Sequence, residues 1–306
     1  MSGVLPETGL SAVRVRLEAT RPAARGPKVY QIVKAVPLNA EVVRMTVLAP
    51  EIARKARPGQ FIILRIDERG ERIPLTISTA NKRTGTVSVV FQIVGATTQR
   101  LATLKKGDSL QDFVGPLGNP TDLSHVKHAC VIGGGLGTAI AYPEAWTLHD
   151  MHAKVDVITG FRTKDLVLME KEMAAIADRL IVMTDDGSNG NKGFVTAALQ
   201  ELIDSGEQYD LVIAIGPVVM MKVISELTRP YGIKTIVSMN TLMIDGTGMC
   251  GCCRVKVGGE YKHACVDGPD FDGHLVDFDE AFRRDMQFSR FEKIAVEHAA
   301  DCARRK

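Results

Sequence analysis

From Lys28 to about residue 122 the apolar positions come in short runs of Val, Ile, Thr and Phe, each closed by a turn signal. Such runs read as strands, because β-branched and aromatic side chains suit a pleated, half-buried surface. They predict strands over 29–34, 41–48, 60–66, 72–78, 86–94 and 109–114, with Arg57-Pro58-Gly59 among the turns. A single helix-like stretch, 97–105, interrupts them. Many short strands without alternating helices predict an antiparallel Greek-key barrel.

At His125 the pattern changes to apolar runs alternating with helical spacing. Strands are expected over 129–132, 155–159, 180–183, 211–215 and 235–238, and helices over 138–149, 166–178, 193–202 and 218–228. This alternation predicts an α/β domain, a parallel sheet with helices on both faces. A cysteine-rich segment follows. The chain then ends in a helix-like tail, with Phe288, Phe291, Ile294, Ala295, His298 and Cys302 near helical spacing. The expected organisation is therefore an extension over 1–27, a barrel over 28–123, an α/β domain over 124–239, a small module over 240–280 and a helical tail over 281–306.

Composition removes several function classes. Lys plus Arg number 38 against 36 Asp plus Glu, a net charge of +2, which leaves no electrostatic footprint for nucleic acid or an anionic membrane. Aromatic residues are 5% of the 306, too few for a base-stacking platform. The longest apolar stretches, 131–142 and 211–221, are broken by glycine and fall short of the ~20 residues that a membrane helix needs. Residues 1–27 mix Arg14, Arg16, Arg21 and Arg25 with Glu7 and Glu18 and lack a continuous apolar core. They are expected to form a disordered extension of a cytoplasmic chain, with an organelle transit peptide as the competing reading.

The 6 cysteines are at 130, 250, 252, 253, 265 and 302. Clustering of this kind, without a secretory signal, points to a metal site in a reducing compartment. Asp245, Cys250, Cys253 and Cys265 make the string D-x4-C-x2-C-x11-C, an iron–sulfur spacing with a carboxylate in place of one thiolate. Gly246, Gly248 and Gly251 suit a loop that must fold around sulfides. A zinc knuckle that adds His263 or Cys252, or a plain loop of reduced cysteines, fits the spacing as well. Cys252 is either a bystander or an alternative ligand.

Arg72, Pro74, Leu75 and Thr76 lie on one predicted barrel strand. There a guanidinium can pair with a pyrophosphate and a hydroxyl can reach a flavin edge, with Thr76 as neighbour of flavin N5. Gly95, Thr97 and Thr98 open the short helix, a place for a diphosphate or simply a capped surface turn. Gly133, Gly134, Gly135 and Gly137 follow a strand and, with Thr138, open a helix, the context of a nucleotide phosphate loop. Arg162 after the second sheet strand, Asp185, Asp186 and Gly187 after the third, and Gly216 and Pro217 after the fourth all lie where open α/β sheets bind ligands. Each is also compatible with an ordinary strand–helix turn.

Taken in order, these motifs resemble the ferredoxin–NADP reductase-like superfamily. Within it the chain is similar to the small (alpha) subunit of NADH-dependent reduced ferredoxin:NADP oxidoreductase and to the beta subunit of sulfide dehydrogenase. The strings that carry the resemblance are RIPLTI (72–77), GGGLGTA (133–139), TDDGSNGNKGFVT (184–196), IGPVVMMK (215–222), DGTGMCGCCRV (245–255) and ACVDGPDFDGHLVDF (264–278). Residues 1–27 and the tail beyond Phe282 have no counterpart in it.

The resemblance implies FAD on the barrel, NAD(H) or NADP(H) on the glycine loop, and a [2Fe–2S] cluster on Asp245, Cys250, Cys253 and Cys265. It implies an electron-transfer oxidoreductase subunit with no acid–base side chain, working with a larger flavin and iron–sulfur subunit and, through that complex, with ferredoxin. The electron-transfer subunit of dihydroorotate dehydrogenase is the nearest alternative, against which the carboxylate at 245 counts. A non-enzymatic redox sensor on the same fold is a second alternative.

Overall fold

A computed structural model describes residues 30–287 and 291–297. The expected extension over 1–27 and the stripe positions Phe288, His298 and Cys302 lie outside the described residues.

The first half builds one six-stranded antiparallel sheet from β1 (Ile32–Pro37), β2 (Val42–Leu48), β3 (Phe61–Arg65), β4 (Ile73–Asn81), β5 (Thr86–Gln92) and β6 (Asp112–Leu117), in the order β1-β2-β5-β4-β3-β6. Alternation drives it. Val43, Met45 and Val47 of β2 point into a core with Ile62, Leu64, Val87, Val89, Phe91 and Phe113. The backbone around β1 also reaches the segment before β6: Ile32 N–H donates to Asp108 O at 2.8 Å and Leu110 N–H to Tyr30 O at 3.1 Å. Helix α2 (Ala96–Ala102) forms where a helix-like stretch was expected, starting one residue earlier and ending three residues sooner. Helix α1 (Pro50–Lys55) was not expected from the pattern, because its buried residues are only Ile52 and Ala53, too few to show a period.

The second sheet takes β7 (His128–Gly134), β8 (Lys154–Phe161), β9 (Arg179–Thr184), β10 (Leu211–Ile215) and β11 (Lys234–Ser238), all parallel, in the order β11-β10-β7-β8-β9. Helices α3 (Gly137–Asp150), α5 (Val195–Asp204) and α6 (Val218–Thr228) make the crossovers. Strand order reverses at β7, which opens a crevice at the carboxyl ends of β7 and β10.

Two expectations need correction here. The helix over 166–178 is a 3-10 turn at Lys164–Leu166 followed by the short α4 (Glu170–Ala174). Met169, at φ 56° between them, breaks the run. Nor is the sheet purely parallel: β14 (Asp270–Asp272), from the cysteine-rich segment, pairs antiparallel with β11 through Ile236–Asp272 and Ser238–Asp270. The module over 240–280 therefore leaves this sheet at β11 and returns to its edge. Between the two lies the hairpin β12 (Arg254–Val257) and β13 (Glu260–His263), covered by α7 (Phe278–Met286). One buried cluster joins Phe61 and Ile63 of β3, Ile132 of β7, and Cys253, Val255, Cys265 and Phe271 of the module.

Candidate functional site: one cleft and a cysteine loop

The carboxyl ends of β7, β8 and β10 face β4 across a cavity of about 820 Å³, within the range of small-molecule and cofactor sites. Pro74, Leu75 and Thr76 form one wall. Gly134, Gly135, Gly137, Gly216 and Pro217 form the opposite one, and Met239, Asn240 and Met243 form the floor at the root of the cysteine loop. Gly137 sits so close to the neighbouring strand end that a Cβ would lie 2.0 Å from Ile215 O. Gly135 has φ +55°, and a Cβ there would meet nothing within 4 Å, so its backbone is laid bare to the cleft. The Gly135 N–H itself donates to Gly160 O at 2.8 Å, so what the loop offers a diphosphate is close, side-chain-free approach to the backbone where a helix begins.

At the far end, Arg162 approaches Glu41 at 3.8 Å, and Gln92 Nε2 donates to the same Glu41 oxygen at 2.9 Å. Asp185 lines the wall beside them.

Other residues singled out from sequence lie outside the cavity wall. Arg72 Nε donates to Ile244 O at 2.8 Å, which ties the start of β4 to the cysteine loop. Thr97 donates to Glu71, and Thr98 Oγ1 accepts the Gly95 N–H at 3.0 Å, so the hydroxyls that open α2 already have partners. Gly133 and Thr138 pack on each other beneath the glycine loop, where a Cβ on Gly133 would lie 2.5 Å from the Thr138 Cα. Asp186 accepts from Ser188 N at 3.0 Å and Ser188 Oγ at 2.6 Å, and Gly187 makes the turn beside it. In the reverse direction, Glu41, Phe61, Gln92, Ser238, Asn240 and Met243 line the cleft without having been expected there. Phe61 and Met243 carry only the signal of core residues; Asn240, polar and two residues past the end of β11, was the one with a readable sign.

The loop over 245–253 gathers the remaining chemistry. Asp245 accepts from Thr247 N at 2.8 Å and Cys250 N at 3.2 Å. These donors, Thr247 first, hold its carboxyl below the usual carboxylate range. Cys253 and Cys265 are both 1% exposed. Burial, followed by hydrogen bonding with Cys253, pushes the Cys265 thiol up to about 12, while the Gly248 N–H acts in the opposite sense. Burial likewise raises Cys252, whose thiol contacts that of Cys250. Thiols crowded with a carboxylate in this way resist ionising together until a cation lies among them, and soft thiolates suit an iron–sulfur cluster. The donor set fits such a cluster. Arg284 donates to Cys252 O at 3.1 Å and clamps α7 over the loop.

Residues 240–277 match the model of the iron–sulfur cluster binding domain of dihydroorotate dehydrogenase B. A Thermotoga maritima protein described as a dihydroorotate dehydrogenase B (NAD(+)) electron transfer subunit homolog is 43% identical over 89% of this chain and 96% of its own length. The chain belongs to this family of electron-transfer subunits. Another relative of this electron-transfer chain, an uncharacterized protein in the adh 3′ region of Clostridium beijerinckii, is 48% identical over 85% of this chain and 90% of its own. A chain from the NADH-dependent reduced ferredoxin-NADP oxidoreductase structure, solved for insight into flavin-based electron bifurcation, superposes with a TM-score of 0.84. It is 42% identical and is matched over 89% of this chain and 98% of its own. The iron–sulfur region shared with the family runs from Asn240 at the cleft floor to Asp277, the residue that caps α7 by accepting from Glu280 N at 3.0 Å.

Proposed function

We propose that this chain is an NAD(P)H-dependent oxidoreductase subunit that carries FAD and a [2Fe–2S] cluster. It passes electrons between a nicotinamide nucleotide and a larger flavin and iron–sulfur partner, and through that partner to or from ferredoxin. The supporting observation is the continuity of one cleft, which runs from the barrel strand at Pro74–Thr76, across the open glycine loop, to the root of the cysteine loop. When bound, these cofactors supply hydride exchange, storage of an electron pair and one-electron delivery; the protein supplies binding, orientation and electrostatics.

Thr76, with Pro74 and Leu75, holds the flavin ring side. Arg72 is the charge-assisted donor for its phosphates, with Gly95, Thr97 and Thr98 at that end. Gly133, Gly134, Gly135, Gly137 and Thr138 form the pyrophosphate loop of the nicotinamide nucleotide. Gly216 and Pro217 would lie toward its ring and Arg162 and Asp185 toward its ribose, with Asp186 and Gly187 shaping the turn that follows Asp185. Asp245, Cys250, Cys253 and Cys265 hold the cluster. The antiparallel sheet is read as a Greek-key barrel closed by the contacts of Tyr30 and Ile32 with Asp108 and Leu110. Its residues 28–123, the nucleotide domain over 124–239 and the cluster module over 240–280 are the functional units of a cytoplasmic protein. Among the described residues, no helix is long and apolar enough to cross a membrane.

Anaerobic purification tests this. The expected product is a yellow-brown chain with one FAD and, as its cluster type requires, two iron atoms and two sulfides, bleached by NADH. Zinc in place of iron, or a chain without flavin, overturns the reading. Service to a dihydroorotate dehydrogenase catalytic subunit is the second reading, favoured by the match over 240–277. The partner that co-purifies decides between them.

A further inference from the structure

Behind the cleft floor, two carboxyl groups meet where the barrel, the nucleotide domain and the cluster module join. Glu144 of α3 is 1% exposed, and its Oε2 has no hydrogen-bond partner. Asp270 of β14 is partly buried, with its Oδ1 shut from solvent and equally without a partner. The Thr121 hydroxyl donates to Asp270 Oδ2 and also faces the Glu144 carboxyl, as does the Gly59 N–H. Burial raises both acids; Asp270 reaches about 6, and Glu144 lies well above the ordinary carboxylate range. Among the described residues no Lys, Arg or His forms an ion pair with either. With no cation beside them and an unpartnered oxygen on each, the two acids are a place to hold a proton.

Asp270 connects two spaces. On one side it has Ser238, its register partner on β11, whose side chain acts on the Asp270 carboxyl and which also lines the redox cleft. On the other it lines a second pocket of about 180 Å³ with Thr121, Asp122, Lys234 and Asp272. There the Lys234 charge acts on Asp122.

We propose that Ser238, Asp270, Thr121 and Glu144 form a proton exit from the redox cleft to this second pocket. The proposal rests on the electron-transfer reading above, and its balance is simple. Hydride arrival breaks the nicotinamide C4–H bond and brings one proton and two electrons to the flavin. Both electrons then leave singly through an iron–sulfur centre to a one-electron acceptor, and no proton travels with them. One proton per hydride must therefore leave when the flavin N–H bond breaks. At the Ser238 end of the cleft it passes by the hydroxyl to Asp270. Glu144 shares it across Thr121, and Asp270 releases it into the second pocket, where Asp122, Asp272 and Lys234 meet water.

The test uses the full FAD- and cluster-loaded chain. Infrared titration of the wild type reads the carboxyl C=O band directly. A protonated-carboxyl band that persists above the ordinary carboxylate range, and is lost in Glu144→Gln and in Asp270→Asn, is expected. Stopped flow then compares the two half-reactions, NADH bleaching of the flavin and its reoxidation by ferricyanide. Asp270→Asn should slow reoxidation relative to bleaching by roughly a hundredfold, the low end of what a positioned proton carrier contributes. It should also remove the pH dependence of reoxidation near the Asp270 titration. Ser238→Ala, which leaves both acids in place, should show the same change in the ratio and keep the infrared band. An unchanged ratio and pH profile in both variants, with full flavin and cluster content, overturns the proton exit. A wild type that NADH does not bleach overturns the electron-transfer reading instead.

Discussion

Gly135 sets the tolerance of the nucleotide loop. At φ +55° its backbone lies in the left-handed region, and its missing side chain is what leaves the cleft open. Gly135→Val puts a β-branched residue where such residues are strained and fills the space that a pyrophosphate needs. We expect the NADH concentration for half-maximal flavin reduction to rise by about tenfold or more, equivalent to ~1.4 kcal/mol, with flavin and cluster spectra unchanged. Unaltered reduction kinetics would reduce the loop to a turn. The cluster loop poses a comparable question between Asp245 and Cys252. Asp245 is already organised by the N–H groups of Thr247 and Cys250, whereas the Cys252 carbonyl is held by Arg284 and its thiol leans on Cys250. Asp245→Cys should keep a [2Fe–2S] cluster with an altered paramagnetic resonance signal. In a Cys252→Ser background, Asp245→Ala should lose it. An intact cluster in that double variant ends the case for a carboxylate ligand.

Elements were legible wherever apolar period and length agreed. Strand β10 and helix α6 fall on their expected bounds, because Leu211–Ile215 is buried throughout and Val218–Thr228 keeps one apolar face. The run over 166–178 failed because a backbone reversal at Met169 leaves no mark on hydrophobic spacing. Strand β14 was invisible for another reason: three residues, Asp-Phe-Asp, carry no period, and only the exposed edge of β11 makes them a strand. In the site, the glycine loop and the clustering of cysteines beside Asp245 could be read from spacing, whereas Glu41 and Ser238 enter the cleft through long-range packing alone. At the opposite, amino ends of β8 and β9, Lys154 and Arg179 donate to Glu207 at 2.8 and 2.7 Å and hold its carboxyl at about 2. A depressed acid stabilises the fold above its ordinary pKa and loses that contribution as pH falls toward the folded value. The thermal midpoint should therefore drop as pH falls from about 4.5 to about 2, and Glu207→Gln should flatten that limb. An identical acid limb in the variant would show that the triad contributes nothing.

Across the whole molecule, the parallel sheet and the cysteine-bearing segment share one buried core, and we expect them to unfold together. Phe271 is 9% exposed and packs on the Gly268 turn, where a Cβ would lie 2.5 Å from its ring. Its cluster includes Ile132 and Val212 of the sheet as well as Cys253 and Cys265. Phe271→Ala should cost about 3 kcal/mol, and flavin-independent probes of the sheet and the cluster absorbance should shift together in one denaturant transition. Two separated transitions would mean that the module folds by itself.

The return of the chain to β11 has a mechanical consequence. A module attached by one linker can swing, and electron carriers on such arms travel between donor and acceptor. Here the segment that holds the cysteines is anchored at both ends to the same sheet, by the exit of β11 at Ser238 and by β14 at Asp270, which face each other in register. Arg72 on Ile244 and Arg284 on Cys252 pin it at two further points. The excursion is a closed loop, so with flavin and cluster at their proposed sites, the gap an electron crosses between them should be set by the fold and not reset at each turnover.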